Sequence, residues 1–197
     1  MRPLPTPMRS KMLAAADLFA DQGLDATKME DVAAATGVPK ATLYYYFEGK
    51  EEILSFLFAE ILDEVTHAIR GAVETKGDAA ERLSNAIEAH LGVFERFPTA
   101  SRALQFDLGR AARMPHIAER VKTAFVEPVH DLLVEGARDG SLRQLGDPWL
   151  VATAILGAIT TTGINFLTIH PKRKPARVAR DLVARDLIGF VLSGAGA

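Results

Sequence analysis

No cysteine occurs among the 197 residues. Disulfides, thiolate metal sites and thiol nucleophiles are therefore excluded, and the chain suits a reducing cytoplasm. Excess positive charge is missing too: 23 Lys and Arg stand against 25 Asp and Glu, giving a net charge of −2. Residues 1–50 hold six of each sign, so any contact with nucleic acid must come from the placement of cations and not from bulk charge. The five histidines (His67, His90, His116, His130 and His170) show no metal-ligand spacing, and no Walker loop, dinucleotide fingerprint or nucleophile elbow is present. Neither a metal nor a cofactor is expected, and no catalytic residue stands out. The opening "MRPLPTPMRS" carries arginines and prolines without a following apolar run, unlike a signal peptide.

Strand-like alternation is scarce, while helical periodicity punctuated by Gly and Pro runs throughout, so an all-α fold is expected. A first helix is predicted from about Ser10 to Gln22, with Leu13, Ala16, Ala20 and the Leu18–Phe19 pair on its apolar face and Gly23 at its end. Thr27-Lys28-Met29-Glu30 has capping-box spacing and opens a short helix that closes at Gly37. Pro39 then introduces "KATLYYYF". From Lys50 one apolar face continues through Ile53, Leu57, Ile61, Val65 and Ile69 to Val73, a long helix. Further helices are predicted from Asp78 to Pro98, from there to about Arg113, from Pro115 to the "ARDGSL" segment, from Asp147 onward, and from Val178 to Leu192. Residues 150–169 contain no charge and match a membrane span in length, yet six of the twenty are Thr or Asn. A helix buried on all sides is the expectation, with no membrane.

All three tyrosines are consecutive, in "TLYYYF". At 100° per residue Leu43 and Phe47 share one face, which leaves Ala41, Thr42 and Tyr45 pointing away and Lys40, Tyr44 and Tyr46 at the flanks. Residues 28–47 thus form two short helices joined by a tight turn, a helix-turn-helix, whose second helix suits the DNA major groove. Lys40 suits a guanine edge or a phosphate, Ala41 and the Thr42 methyl suit thymine methyls, and the Tyr44, Tyr45 and Tyr46 hydroxyls suit phosphate oxygens. Lys50, at a helix start, favours a phosphate.

From Met12 to Leu54, through "MLAAADLFADQG" and "DATKMEDVAAATGVPKATLYYYFEGKEEIL", the chain resembles the tetracycline-repressor (TetR) family of bacterial transcription regulators. Lys28 stands where the family often has a second phosphate-touching threonine, beside Thr27. Pro39 and Gly49 replace serines, and Tyr46 stands where histidine is common. The resemblance implies a homodimer on a palindromic DNA operator, with a helical C-terminal domain that takes up a small molecule and releases DNA. Residues 6–66 are assigned to the DNA-binding domain and 67–197 to the ligand-binding and dimerisation domain.

The uncharged helix needs more cover than its own domain supplies. It is therefore expected, with the last helix, to pair with a second copy in a four-helix bundle through Ile155, Ala158, Ile159, Thr162, Leu187, Phe190 and Val191, with Gly157 and Gly163 allowing close approach. Large apolar groups with few polar ones among them suggest a pocket for an apolar or amphipathic effector. Its expected lining is His67, His90, Phe94, Phe106, Asp107, Phe125, Thr161, Asn165 and Phe166.

Overall fold

The computed structural model describes residues 3–106, 115–169 and 176–195, and every regular element among them is helical. The first predicted helix is two: α1 (Thr6–Met12) and α2 (Ala15–Ala26), parted at Leu13 and Ala14. The break turns Leu13 outward and brings Met8 and Met12 into the core beside Ala16, Phe19 and Ala20. Gly23 interrupts α2 with a positive φ of 75°, which a side chain would resist, and one further turn follows.

The cap of α3 (Met29–Thr36) lies one residue beyond its predicted place. Thr27 is fully buried and its hydroxyl donates to the Gly23 carbonyl at 2.8 Å. Lys28 is therefore the N-cap, and its N–H donates to the Asp31 carboxylate at 3.0 Å. Gly37, at φ 64°, turns the chain into α4 (Lys40–Tyr46). The long helix α5 (Lys50–Val73) follows its predicted phase, with Ile53, Leu54, Leu57, Phe58, Ile61, Leu62, Val65 and Ile69 all buried.

Two compact units emerge, one of residues 1–61 and 99–118, the other of residues 62–98 and 119–197. In the second, Asp78 caps α6 (Ala79–Arg96) by accepting from the Glu81 N–H at 2.9 Å. After α7 (Pro98–Phe106), whose predicted continuation to Arg113 lies outside the described residues, α8 (Pro115–Val121) passes into a π turn (Lys122–Val126) and then α9 (Glu127–Asp139). Pro128 accounts for the π turn. It has no N–H to donate and its ring would strike the carbonyl of Ala124 in a regular helix, so the turn widens and the Glu127 N–H reaches back five residues to Lys122.

Asp147 caps α10 (Pro148–Gly163) through the Trp149 and Leu150 N–H groups at 3.0 and 3.1 Å. A second π turn (Ile164–Ile169) follows, and the last helix is α11 (Ala176–Ala195). Packing centres on α6, which touches α9, α10 and α11. The expectation that α10 is buried on all sides is not met by this chain alone. Ala152, Ile155, Ile159 and Gly163 face inward, while Leu150 is 66% and Phe166 59% exposed. Among the described residues, 148–166 alone is long and apolar enough to cross a membrane, but one side of α10 packs on α6 and α9.

Candidate nucleic-acid interface

Apolar contacts fix the orientation of α4. Leu43 and Phe47 are sealed in the core with Val32, Val38 and Phe19, and Phe47 meets Phe56 edge-on at 5.9 Å. The preceding turn is held by Thr36, whose hydroxyl donates to the Val32 carbonyl at 2.7 Å and accepts from the Val38 N–H at 3.3 Å. With that face pinned, Lys40, Ala41, Tyr44 and Tyr45 are exposed, and Thr42 and Tyr46 half-buried. The Tyr45 and Tyr46 rings stack edge-on at 4.9 Å. The outward surface of α4 is thus a cation, a methyl and aromatic phenols on a rigid mount. Ala41 and Tyr45 point away as the 100° rotation predicts, whereas Thr42, expected beside them, is half-buried and the flanking Lys40 and Tyr44 are exposed instead.

The cations differ in their availability. The Lys40 ammonium is paired with the Glu30 carboxylate of α3 and lies 5.8 Å from the Tyr44 ring. Their hydrogen bond raises the Lys40 pKa and lowers that of Glu30, each holding the other charged. Lys50 is committed inside the head: its ammonium donates to the carbonyls of Asp25 at 3.0 Å and Thr27 at 3.1 Å. Sequence shows the cation at a helix start, but not that two carbonyls lie within reach. Lys28 is exposed. Thr27 presents no hydroxyl to solvent, for the reason given above.

In the second unit the predicted effector-lining residues separate into two groups. His90 is buried and stacks on Phe94, with ring centroids 5.1 Å apart, and meets Phe125 at 5.0 Å. Its Nδ1 is buried without a hydrogen-bond partner, and burial pushes its pKa down to about 4, so the imidazole is neutral at physiological pH. His67, Thr161 and Phe166 are exposed instead, and Asn165 is half-buried with its side-chain N–H donating to the Thr161 carbonyl at 2.8 Å. They do not join His90, because helical phase turns them outward. Asp107 lies outside the described residues, and of Phe106 only the backbone is described. One cavity here, of about 420 Å³, is a charged cleft lined by Arg70, Arg82, Glu127, Asp131 and Glu135, not the apolar pocket expected.

The predicted dimer residues divide likewise. Ile155, Ile159, Leu187 and Val191 are buried within the chain, Ala158 and Thr162 are half-buried, and Phe190 is 71% exposed. Gly163 serves an internal contact, since a methyl added there would sit 2.5 Å from Phe94, whereas Gly157 faces open space. The outward stripe of α10 is Leu150, Ala154, Gly157 and Thr161, and α11 adds Leu182, Gly189 and Phe190. A groove of about 310 Å³ between these helices is lined by Val151, Ala154, Ala158 and Phe190.

Comparison with known proteins places this geometry. The model of bacterial regulatory proteins, tetR family, matches residues 12–55. The HTH-type transcriptional repressor KstR2 of Mycobacterium tuberculosis is 30% identical over 183 residues, covering 91% of this chain and 88% of its own. The fatty acid metabolism regulator protein of Bacillus subtilis is 24% identical over 150 residues, covering 76% and 77%. Among solved structures, the ketosteroid transcriptional regulator KstR2 of M. tuberculosis aligns with a TM-score of 0.80 at 25% identity, covering 98% of this chain and 97% of its own.

Proposed function

Because this chain belongs to the tetracycline-repressor family of bacterial transcription regulators, we propose that it is a cytoplasmic homodimeric repressor that reads a palindromic operator with α4 and leaves it on binding a small molecule. It acts by binding and not by catalysis. Residues 6–66 serve as the DNA-binding domain and 67–197 as the effector and dimerisation domain. One observation carries the reading: Leu43 and Phe47 lock α4 so that Lys40, Ala41, Tyr44 and Tyr45 face outward together. A helix so mounted fits the major groove, where such side chains meet base edges and phosphates.

The test is selection of operator duplexes from a random pool, followed by footprinting. Tyr45→Ala or Lys40→Ala should weaken operator binding by about 1–3 kcal/mol per half-site where the side chain meets a base. Unchanged footprints in both variants would overturn the assignment of α4.

For the effector, the names of the relatives, a fatty acid regulator and a ketosteroid regulator, support a lipid-derived molecule. His90 between Phe94 and Phe125 supports an apolar body carrying one hydrogen-bonding group, since a buried imidazole nitrogen without a partner gains from one. Linkage requires operator DNA to weaken effector binding by the factor with which the effector weakens DNA binding. Titrating fatty-acyl and steroid ligands with and without operator reads that factor, and equal affinities in the two conditions would sink the switch.

A further inference from the structure

The first turn of α3 carries two carboxylates, Glu30 and Asp31. Asp31 accepts from the N-cap N–H, and Glu30 holds the Lys40 ammonium across the gap between the two helices of the helix-turn-helix. Both acids also sit at the N-terminal, positive end of the α3 dipole. The helix end that elsewhere attracts phosphate is therefore already supplied with negative charge. The most prominent cation of the reading helix already has a counter-ion.

We propose that Glu30 is a specificity-determining residue: a counter-charge fixed on Lys40 that suppresses binding to DNA of arbitrary sequence. The proposal rests on α4 as the DNA-reading helix. Non-specific association is driven by phosphate neutralisation and counter-ion release. On random DNA a paired Lys40 has two options. It keeps Glu30 and neutralises no phosphate, or it leaves Glu30 and strands a carboxylate beside a polyanion. Only where Lys40 meets a complementary base edge is that loss offset. Glu30 thus lowers affinity more on random DNA than on the operator and widens the ratio between them. Its position on the bracing helix leaves the fold of α4 independent of the pair, since Leu43 and Phe47 fix that helix from the other side.

The experiment compares wild type, Glu30→Gln, Lys40→Gln and the double variant on the selected operator and on a scrambled duplex across a salt series, with helicity checked for each. Glu30→Gln should bind the scrambled duplex more tightly at low salt. Its slope of log affinity against log salt should be steeper by about 1, so that its advantage over wild type shrinks about threefold between about 50 and 200 mM salt. The operator-to-scrambled ratio should fall, and the double variant should lose the gain. Unchanged or weaker scrambled binding by Glu30→Gln would overturn the proposal, as would a gain that survives in the double variant, since Glu30 would then repel DNA without acting through Lys40. Failure of the wild type to select any duplex would instead overturn the DNA-binding reading beneath it.

Discussion

Replacing Leu150 with glutamate should convert the dimer to monomers and abolish operator binding at physiological salt. Leu150 is 66% exposed on the outward stripe of α10, in line with Ala154, Gly157 and Thr161. Burying one leucine side chain contributes about 1.5–3 kcal/mol, and a two-fold axis counts every residue of the stripe twice. A carboxylate there removes that contribution and must itself be desolvated. Monomers lose the linkage between half-sites, which is worth about 10²–10⁴-fold in affinity. Gly157→Leu is the companion variant: apart from its own helix, nothing among the described residues lies within 4 Å of a Cβ added there, so the larger side chain is expected to spare the fold and obstruct a partner. Sedimentation velocity with circular dichroism reads both; dimers that persist in both variants would place the interface elsewhere.

Acid should destabilise the protein through His90. Burial holds this imidazole at a pKa of about 4 in the folded chain, against about 6.5 when unfolded. Between those values the unfolded chain binds the additional proton, so stability falls as pH falls from about 6.5 to about 4 and is fully present above that window. The loss is on the order of 3 kcal/mol. Phe94 and Phe125 offer the imidazolium no counter-charge. His90→Phe should flatten this part of the profile in urea unfolding measured between pH 7 and 4. A variant whose profile parallels the wild type would show that His90 does not titrate in this way.

Where a helix has one apolar and one polar face, its sequence states its orientation. Leu43 and Phe47, the long face of α5 and the helix starts at Asp78 and Asp147 are all found as the sequence predicts. In α10, apolar or neutral side chains surround the axis, so periodicity does not distinguish the inward Ile155 and Ile159 from the outward Leu150 and Gly157. That ambiguity also misplaced Thr161 and Phe166, which face away from His90. Breaks inside helices were illegible for another reason: Pro128 announces a disturbance, but only the folded chain shows it absorbed as a π turn. The charges on Lys40 and Lys50 were plain in the sequence. Their partners, ten residues away on Glu30 and more than twenty away on two backbone carbonyls, were not.

The bond between Lys50 and those carbonyls bears on how a signal reaches DNA. Lys50 is the first residue of α5, and the carbonyls of Asp25 and Thr27 belong to the segment that leads into α3. The ammonium is a clamp at the foot of a lever. When α5 swings, the N-terminal end of α3 is carried with it, and α4 follows through the buried core they share. Under the proposed function, an effector that tilts α5 would therefore carry α3 and α4 together and leave the reading surface of α4 intact.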